Sequence, residues 1–163
     1  MAKKNIQVTL YMSELIYDVQ NKTYLTGRSR SNGTNHEEVA NMQANDDDEN
    51  ANQIVRSIGN AFANLKTKLS EYIVETSTTA SNKLLTITSN LTLALVMPSN
   101  FNQATNETIA SALHQYLVNS AIGDWFTITD KNDASDYVTL AAANLDQIRE
   151  AVNKRNRPQR ATV

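Results

Sequence analysis

The stretch of sequence that decides the fold starts with LTLALVMP (residues 91–98) and continues to the basic tail at Arg160. Apolar side chains at every second position of 91–97 predict a β-strand with one buried face, because side chains two apart on a strand point the same way. Pro98 ends this strand. This stretch closes on NKRNRPQR (residues 153–160), a segment that is too polar to be core.

Two helices are predicted between these ends. Asn102 or Thr105 is expected to cap the first, and Gly123 is expected to end it. Its apolar positions recur at spacings of three and four: Ile109, Ala112, Leu113, Tyr116 and Leu117. Trp125, Phe126 and Ile128 are interpreted as a short apolar connector. Asp133 or Ser135 then caps the second helix, whose apolar side carries Tyr137, Leu140, Ala141, Leu145, Ile148 and Val152, and which cannot continue through Pro158.

The N-terminal half predicts one strand and two further helices. Residues 6–12 alternate as in a half-buried strand, and Ser13 can cap a short helix that ends near Gly27. Residues 28–48 are interpreted as a polar and acidic loop, in which 36–44 could form a helical turn or two. The longest apolar stripe predicts a helix of about seven turns, with Ala51, Ile54, Val55, Ile58, Ala61, Phe62, Leu65, Leu69, Tyr72, Ile73 and Thr76 on one side.

Residues 84–88 (LLTIT) leave two possibilities open. They form a β-hairpin with 91–97, or the two runs form one long strand. With either arrangement of these strands, the pattern predicts a mainly α protein with a small antiparallel β-sheet (α+β). Residues 1–153 form a single domain of four helices, and residues 154–163 form an extended basic arm.

Composition limits the class of protein. The 163 residues are 40% hydrophobic and 20% charged, which is typical of one soluble globular domain. The formal net charge of −2 argues against a coat for nucleic acid, and the absence of cysteine excludes disulfides and thiolate chemistry. No apolar run approaches the ~18 residues of a membrane span, and the N-terminus does not resemble a secretory signal. We therefore expect no membrane association.

Catalytic and cofactor motifs are missing from the sequence. The chain has two histidines, His36 and His114, and its four glycines are isolated. Residues 130–136 (DKNDASD) resemble a calcium loop only faintly, since Ser135 stands where the glycine belongs; they are better interpreted as a helix cap. We expect no enzyme activity, no cofactor and no metal, and we expect Trp125 and Phe126 to be core residues.

Three sets of residues are candidates for contact with other molecules. The acidic run Asp46, Asp47, Asp48 and Glu49 precedes the long helix, and part of that helix's stripe (Ile58, Phe62, Leu65) is expected to face another subunit, because a small monomer can hardly cover a stripe about 40 Å long. The basic tail is the third set. Its cations can dock on an acidic neighbour or reach phosphate: Lys154, Arg155, Arg157 and Arg160.

Five segments in order carry a resemblance: MPSNF (97–101), HQYLV (114–118), DWF (124–126), IREAVNKR (148–155) and RP (157–158). This order resembles small virion proteins of tailed bacteriophages of gut Bacteroides, the crAss-like group among them. The resemblance covers the C-terminal 70 residues or so. It implies a subunit of the head-to-tail connector, twelve copies ringed beneath the portal in the virion. The arm would lie against the portal or a neighbouring ring, and residues 28–45 would contact the next ring or line the channel through which DNA passes without specific binding.

A second reading of the tail stays open. The same cations could serve a nucleic-acid-binding accessory protein, which would bind DNA with a strong dependence on salt.

Overall fold

Five α-helices and a two-stranded sheet form the part of the chain that the computed structural model describes, residues 2–75, 79–82 and 90–161. The prediction of a mainly α protein with a small antiparallel sheet is confirmed, although the number of helices is five rather than four. A short 3-10 turn at Gln103–Thr105 precedes the fourth helix. The elements in chain order are β1 (Lys4–Leu10), α1 (Met12–Ser29), α2 (His36–Met42), α3 (Asp48–Lys68), β2 (Leu91–Met97), α4 (Asn106–Thr129) and α5 (Lys131–Val152).

Helix α4 lies at the centre of the fold. A helix that is apolar on every side is stable only when other elements cover it, and α1, α2, α3, α5 and β1 all pack against α4. Its buried positions fall on all sides of the helix: Ile109, Ala112, Leu113, Leu117, Val118, Asn119, Ala121, Ile122, Gly123, Trp125 and Phe126.

The predicted end of this helix at Gly123 is wrong. The helix continues to Thr129, so the segment interpreted as an apolar connector is helical, with Trp125 and Phe126 buried and Ile128 exposed. Gly123 is needed for close packing instead of a cap, because a methyl group there would lie 3.2 Å from Cγ2 of Val138 on α5.

A single residue, Asp130, separates α4 from α5. Its N–H donates to the carbonyl of Phe126 at 2.8 Å, and its carboxylate accepts from the N–H of Asn132 at 3.1 Å. The interpretation of 130–136 as a helix cap is confirmed, but the capping residue is Asp130 instead of Asp133 or Ser135. We call the resulting pair of antiparallel helices the α4–α5 hairpin.

The sheet joins two distant parts of the chain. Strands β1 and β2 are antiparallel, with Lys4 opposite Met97 and Leu10 opposite Leu91, and both strands bury alternate residues as the sequence predicted. The other edge of β2 receives the segment after α3, where the N–H of Val96 donates to the carbonyl of Tyr72 at 2.6 Å. The choice between a hairpin and one long strand depends on residues 83–89, which lie outside the described residues.

Helix α3 is shorter than predicted, and the polar loop is partly helical. Helix α3 ends at Lys68 because the chain then turns towards the sheet, where Ile73 forms a bridge with Leu95. Helix α1 passes Gly27 and ends at Ser29, and α2 occupies the middle of the expected loop. Gly27 is buried inside α1 because α2 approaches closely: a methyl group there would lie 3.1 Å from the carbonyl oxygen of Val39.

Two isoleucines of α4 offer a matched test of its central place. Ile122 is 0% exposed and Ile128 is 70% exposed. We expect Ile122→Ala to lower the free energy of unfolding by about 2–5 kcal/mol, because it removes buried methyl groups and leaves a cavity. Ile128→Ala should change it by less than about 0.5 kcal/mol. Urea denaturation followed by circular dichroism measures both, and equal losses would contradict a buried α4.

Candidate interaction surfaces

The basic tail begins as part of the fold. The N–H of Asn102 donates to the carbonyl of Lys154 at 3.1 Å, and the N–H of Asn156 donates to the carbonyl of Asn100 at 2.7 Å. Between these bonds Phe101, which is fully buried, forms a β-bridge with Arg155. The predicted boundary of the arm at residue 154 is therefore wrong, because 154–156 are fastened to the segment before α4. The free arm starts at Arg157.

The four cations predicted to dock a partner fall into two pairs. Lys154 forms an ion pair with Glu150 at 3.2 Å, and Nη1 of Arg155 donates to the carbonyl of Val152 at 2.9 Å. Both cations lie at the C-terminus of α5, where a positive charge is favourable. Arg157 and Arg160 are exposed and form no ion pair within the described residues. They are the cations of the tail that remain available to another molecule.

The acidic run is exposed at the start of α3, as the sequence predicted. Asp46 accepts a hydrogen bond from Gln20 at 2.7 Å, Asp47 occupies the position before the helix, and Asp48 and Glu49 lie in its first turn. Carboxylates are favourable there because the free N–H groups of a helix start carry partial positive charge. The run thus stabilises α3 and at the same time presents negative charge to solvent.

The prediction that the α3 stripe faces another subunit is wrong. Ile58 and Leu65 are fully buried and Phe62 is nearly so, because α3 packs on α4 within the same chain. Nζ of Lys66 lies over the Phe62 ring, 4.6 Å from its centre. These three residues belong to the core.

A groove of about 580 Å³ lies where the C-terminus of α1, helix α2 and the turn of the α4–α5 hairpin meet. Glu38, Asp130, Asp133 and Asp136 line it together with one cation, Arg30. Asp133 is only 3% exposed, and Arg30 binds it with two N–H groups, of which Nε lies 3.1 Å from Oδ2 while Nη2 contacts Oδ1. Asp130, Asp133 and Asp136 share one side of α5, but no local pattern could pair them with an arginine on α1.

The carboxyl groups of this groove differ in their pKa. The hydrogen bond from Arg30 lowers the pKa of Asp133, and the same hydrogen bond together with the negative charge of Asp133 raises the pKa of Arg30 further. Loss of water raises the pKa of Asp130, and its hydrogen bond to Asp133 adds to that effect. Arg30 thus holds the Asp133 carboxylate in its ionised form.

Outside the groove, partial removal of the Asp124 carboxyl from water raises its pKa, although a hydrogen bond with Ser57 acts in the opposite direction.

Opposite charges therefore lie at opposite ends of α5. The acidic groove surrounds its first turn, and the basic tail follows its last turn. A helix of 22 residues spans about 33 Å at 1.5 Å per residue. The two charged surfaces are too far apart to neutralise each other within one copy.

The two histidines of the chain lie in different surroundings. Nε2 of His114 lies 2.5 Å from Oδ2 of Asp18, which links α4 to α1, while His36 is exposed at the start of α2. Trp125 and Phe126 are core residues as predicted, and the Trp125 indole donates to the carbonyl of Met42 at 2.8 Å.

Within the described residues, no three His, Asp or Glu side chains converge as they would around a metal ion. In the same part of the chain, no helix is apolar over a length that would cross a bilayer.

The Arg30–Asp133 pair gives a prediction about stability and pH. At pH 7, Asp133→Asn should lower the free energy of unfolding by about 1–3 kcal/mol, because a buried carboxylate loses charge-assisted hydrogen bonds. The pKa of Asp133 is lowered from its ordinary value of 3.8, so this stabilisation is present above that value and is lost as the pH falls through the lower pKa of the folded state. The difference between wild type and variant should therefore shrink below pH 3.8 in urea denaturation.

Asp136→Asn is the matched control for this prediction. Asp136 lies in the same groove on the same helix and is exposed. Its substitution should change the free energy of unfolding by less than about 0.5 kcal/mol. If the two variants behave alike, Arg30 does not stabilise the fold through Asp133.

Comparison with known proteins finds no family model, no curated protein and no solved structure that matches this chain.

Proposed function

We propose that this chain is a structural virion protein, a subunit of an oligomeric ring in the head-to-tail connector of a tailed bacteriophage. In this role it joins the portal to tail components and lets DNA pass through the ring. The observation that carries the proposal is the separation of charge along α5, with a free basic arm at one end and an acidic groove at the other. The resemblance of the C-terminal segments to crAss-like phage proteins supplies the kind of assembly.

A ring requires two different contact surfaces on each subunit. A ring is built from heterologous contacts, in which one face of each subunit binds a different face of the next. The acidic groove and the free arm of this chain are two such faces. By analogy with connectors of this plan, the ring would hold twelve copies.

The geometry of the arm favours a partner outside its own copy. The hydrogen bond from the N–H of Asn156 to the carbonyl of Asn100 determines where the arm leaves the domain. Residues 157–161 span at most about 17 Å when extended, at ~3.4 Å per residue. They therefore cannot reach the acidic groove of the same copy, which is about 33 Å away along α5.

The chemistry of the arm favours an acidic protein surface. Arg157 and Arg160 each present a planar guanidinium that forms paired hydrogen bonds with a carboxylate. The acidic groove of the next copy, the portal or a neighbouring neck protein would supply those carboxylates. A net charge of −2 for the whole subunit also suits a channel along which DNA must move without adhering.

The arm gives a test of this role. A double variant, Arg157→Ala with Arg160→Ala, should fold as the wild type does, because both side chains are exposed and form no ion pair within the described residues. In phage assembled with this variant, the copies per purified particle should fall at least about tenfold, since each lost charge-assisted pair weakens binding. Quantitative immunoblotting of the particles measures the change.

The control variant is Arg56→Ala with Lys68→Ala, which removes the same charge from the exposed side of α3. It should enter particles at the wild-type level. Normal incorporation of the arm variant would contradict the proposal. Tight binding of DNA by the isolated wild type, steeply salt-dependent and lost in the arm variant, would identify the alternative, a nucleic-acid-binding accessory protein.

A further inference from the structure

We propose that α5, together with the tail that follows it, is an exchangeable element: two copies of this chain swap it, so that α5 of each copy packs on α4 of the other. The inference does not depend on the kind of assembly proposed above. It rests on the linker between α4 and α5, on the contacts of α5, and on the way the tail is fastened.

The linker consists of Asp130 alone. With φ −152° and ψ 95°, this residue is extended, and its neighbours Thr129 and Lys131 are already helical. Neither glycine nor proline interrupts residues 124–157, so a helical Asp130 would join the two helices into one. That helix would cover residues 106–152 and would be about 70 Å long. Short linkers between packed elements are the usual site of domain exchange.

The contacts of α5 allow it to leave as a unit. Its buried residues face α4: Ala134, Ala141, Ile148, Ala151 and Val152. Within the described residues, its hydrogen bonds with α1 join side chains only: Arg30 with Asp133, and Thr26 with Tyr137, whose hydroxyls lie 2.7 Å apart. Release of α5 therefore leaves the packing of α1, α3 and the sheet on α4 in place.

The tail moves with α5 and completes the exchange. In one copy the tail is fastened to Asn100 and Asn102, and Asn119 on α4 donates to Asn144 on α5 at 2.7 Å. In the exchanged pair each of these bonds is made again with the same partner residue of the other copy. The monomer and the exchanged pair differ only in the conformation of Asp130 and in the entropy that is lost on association. An assembly that holds copies close together would favour the exchanged form by raising the effective concentration.

The absence of cysteine from the chain allows a direct test by disulfide trapping. The test pair is Gly123→Cys with Val138→Cys, because a Cβ at 123 lies 3.2 Å from the Val138 side chain across the α4–α5 hairpin. The control pair is Gly27→Cys with Met42→Cys, since a Cβ at 27 lies 3.4 Å from Cβ of Met42 across α1 and α2. Helices α1 and α2 stay together in both forms.

The full-length variants are refolded from urea at protein concentrations from about 1 µM to about 500 µM, a range that approaches the effective concentration of a short tether from below. They are then oxidised and run on non-reducing gels. We expect the test pair to give a covalent dimer whose fraction rises with concentration, with peptide mapping showing a bond between positions 123 and 138 of different copies. The control pair should stay monomeric throughout. A test pair that links only within one copy at every concentration would overturn the proposal.

Two substitutions of the linker give an independent readout. Asp130→Ala and Asp130→Gly both remove the capping carboxylate, and they differ in how readily residue 130 becomes helical. Alanine is favoured over glycine in a helix by about fivefold per site, hence about 25-fold for the two linkers of an exchanged pair. Sedimentation equilibrium should show the alanine variant dimerising more tightly by about this factor. Equal association of the two variants would also count against exchange.

Discussion

Helix α4 has to be covered on every side, and the rest of the structure depends on this requirement. Burial of apolar surface is the main favourable term in folding, and a helix with apolar residues all round gains it only inside a core. Helices α1 and α3, the sheet and α5 each contribute one apolar face to that cover. The outer surface of these elements is mostly polar and charged, but α1 and α5 also expose apolar side chains there, among them Leu25 and Leu140.

The same requirement explains which predictions from the sequence succeeded. Elements with one buried face have a clear period, so the strand at the N-terminus, the strand at 91–97 and most of the stripes of α3 and α5 could be predicted. Leu140, predicted on the apolar side of α5, is exposed, and α3 ends before the last positions of its predicted stripe. The middle of α4, residues 112–123, has no exposed position and therefore no helical period, and the short apolar Trp-Phe segment that follows it is typical of a connector. The sequence pattern likewise predicts a cap at Gly123, because only the approach of Val138 shows why a glycine is needed within the helix.

Long-range pairings could not be predicted from local patterns. Strand β1 pairs with β2, and Arg30 with Asp133, across most of the chain, and no spacing in the sequence connects these partners. The sequence identified the charged residues of the tail, but it could not show which of them contact the domain and which are free. Lys154 and Arg155 complete the end of α5, whereas Arg157 and Arg160 remain free. Likewise Ile58, Phe62 and Leu65 were expected at an interface because the cover supplied by α4 could not be seen.

Helix α4 is thus the centre of the molecule, and α5 forms an outer layer on it. Amide hydrogen exchange on the full-length protein can test this arrangement, because each amide reports the free energy of the opening that exposes it. We expect amides of residues 112–126 to exchange most slowly and only through global unfolding, while amides of α5 exchange through a smaller opening. Exchange of α4 through a low-energy opening, with α5 fully protected, would contradict a central α4.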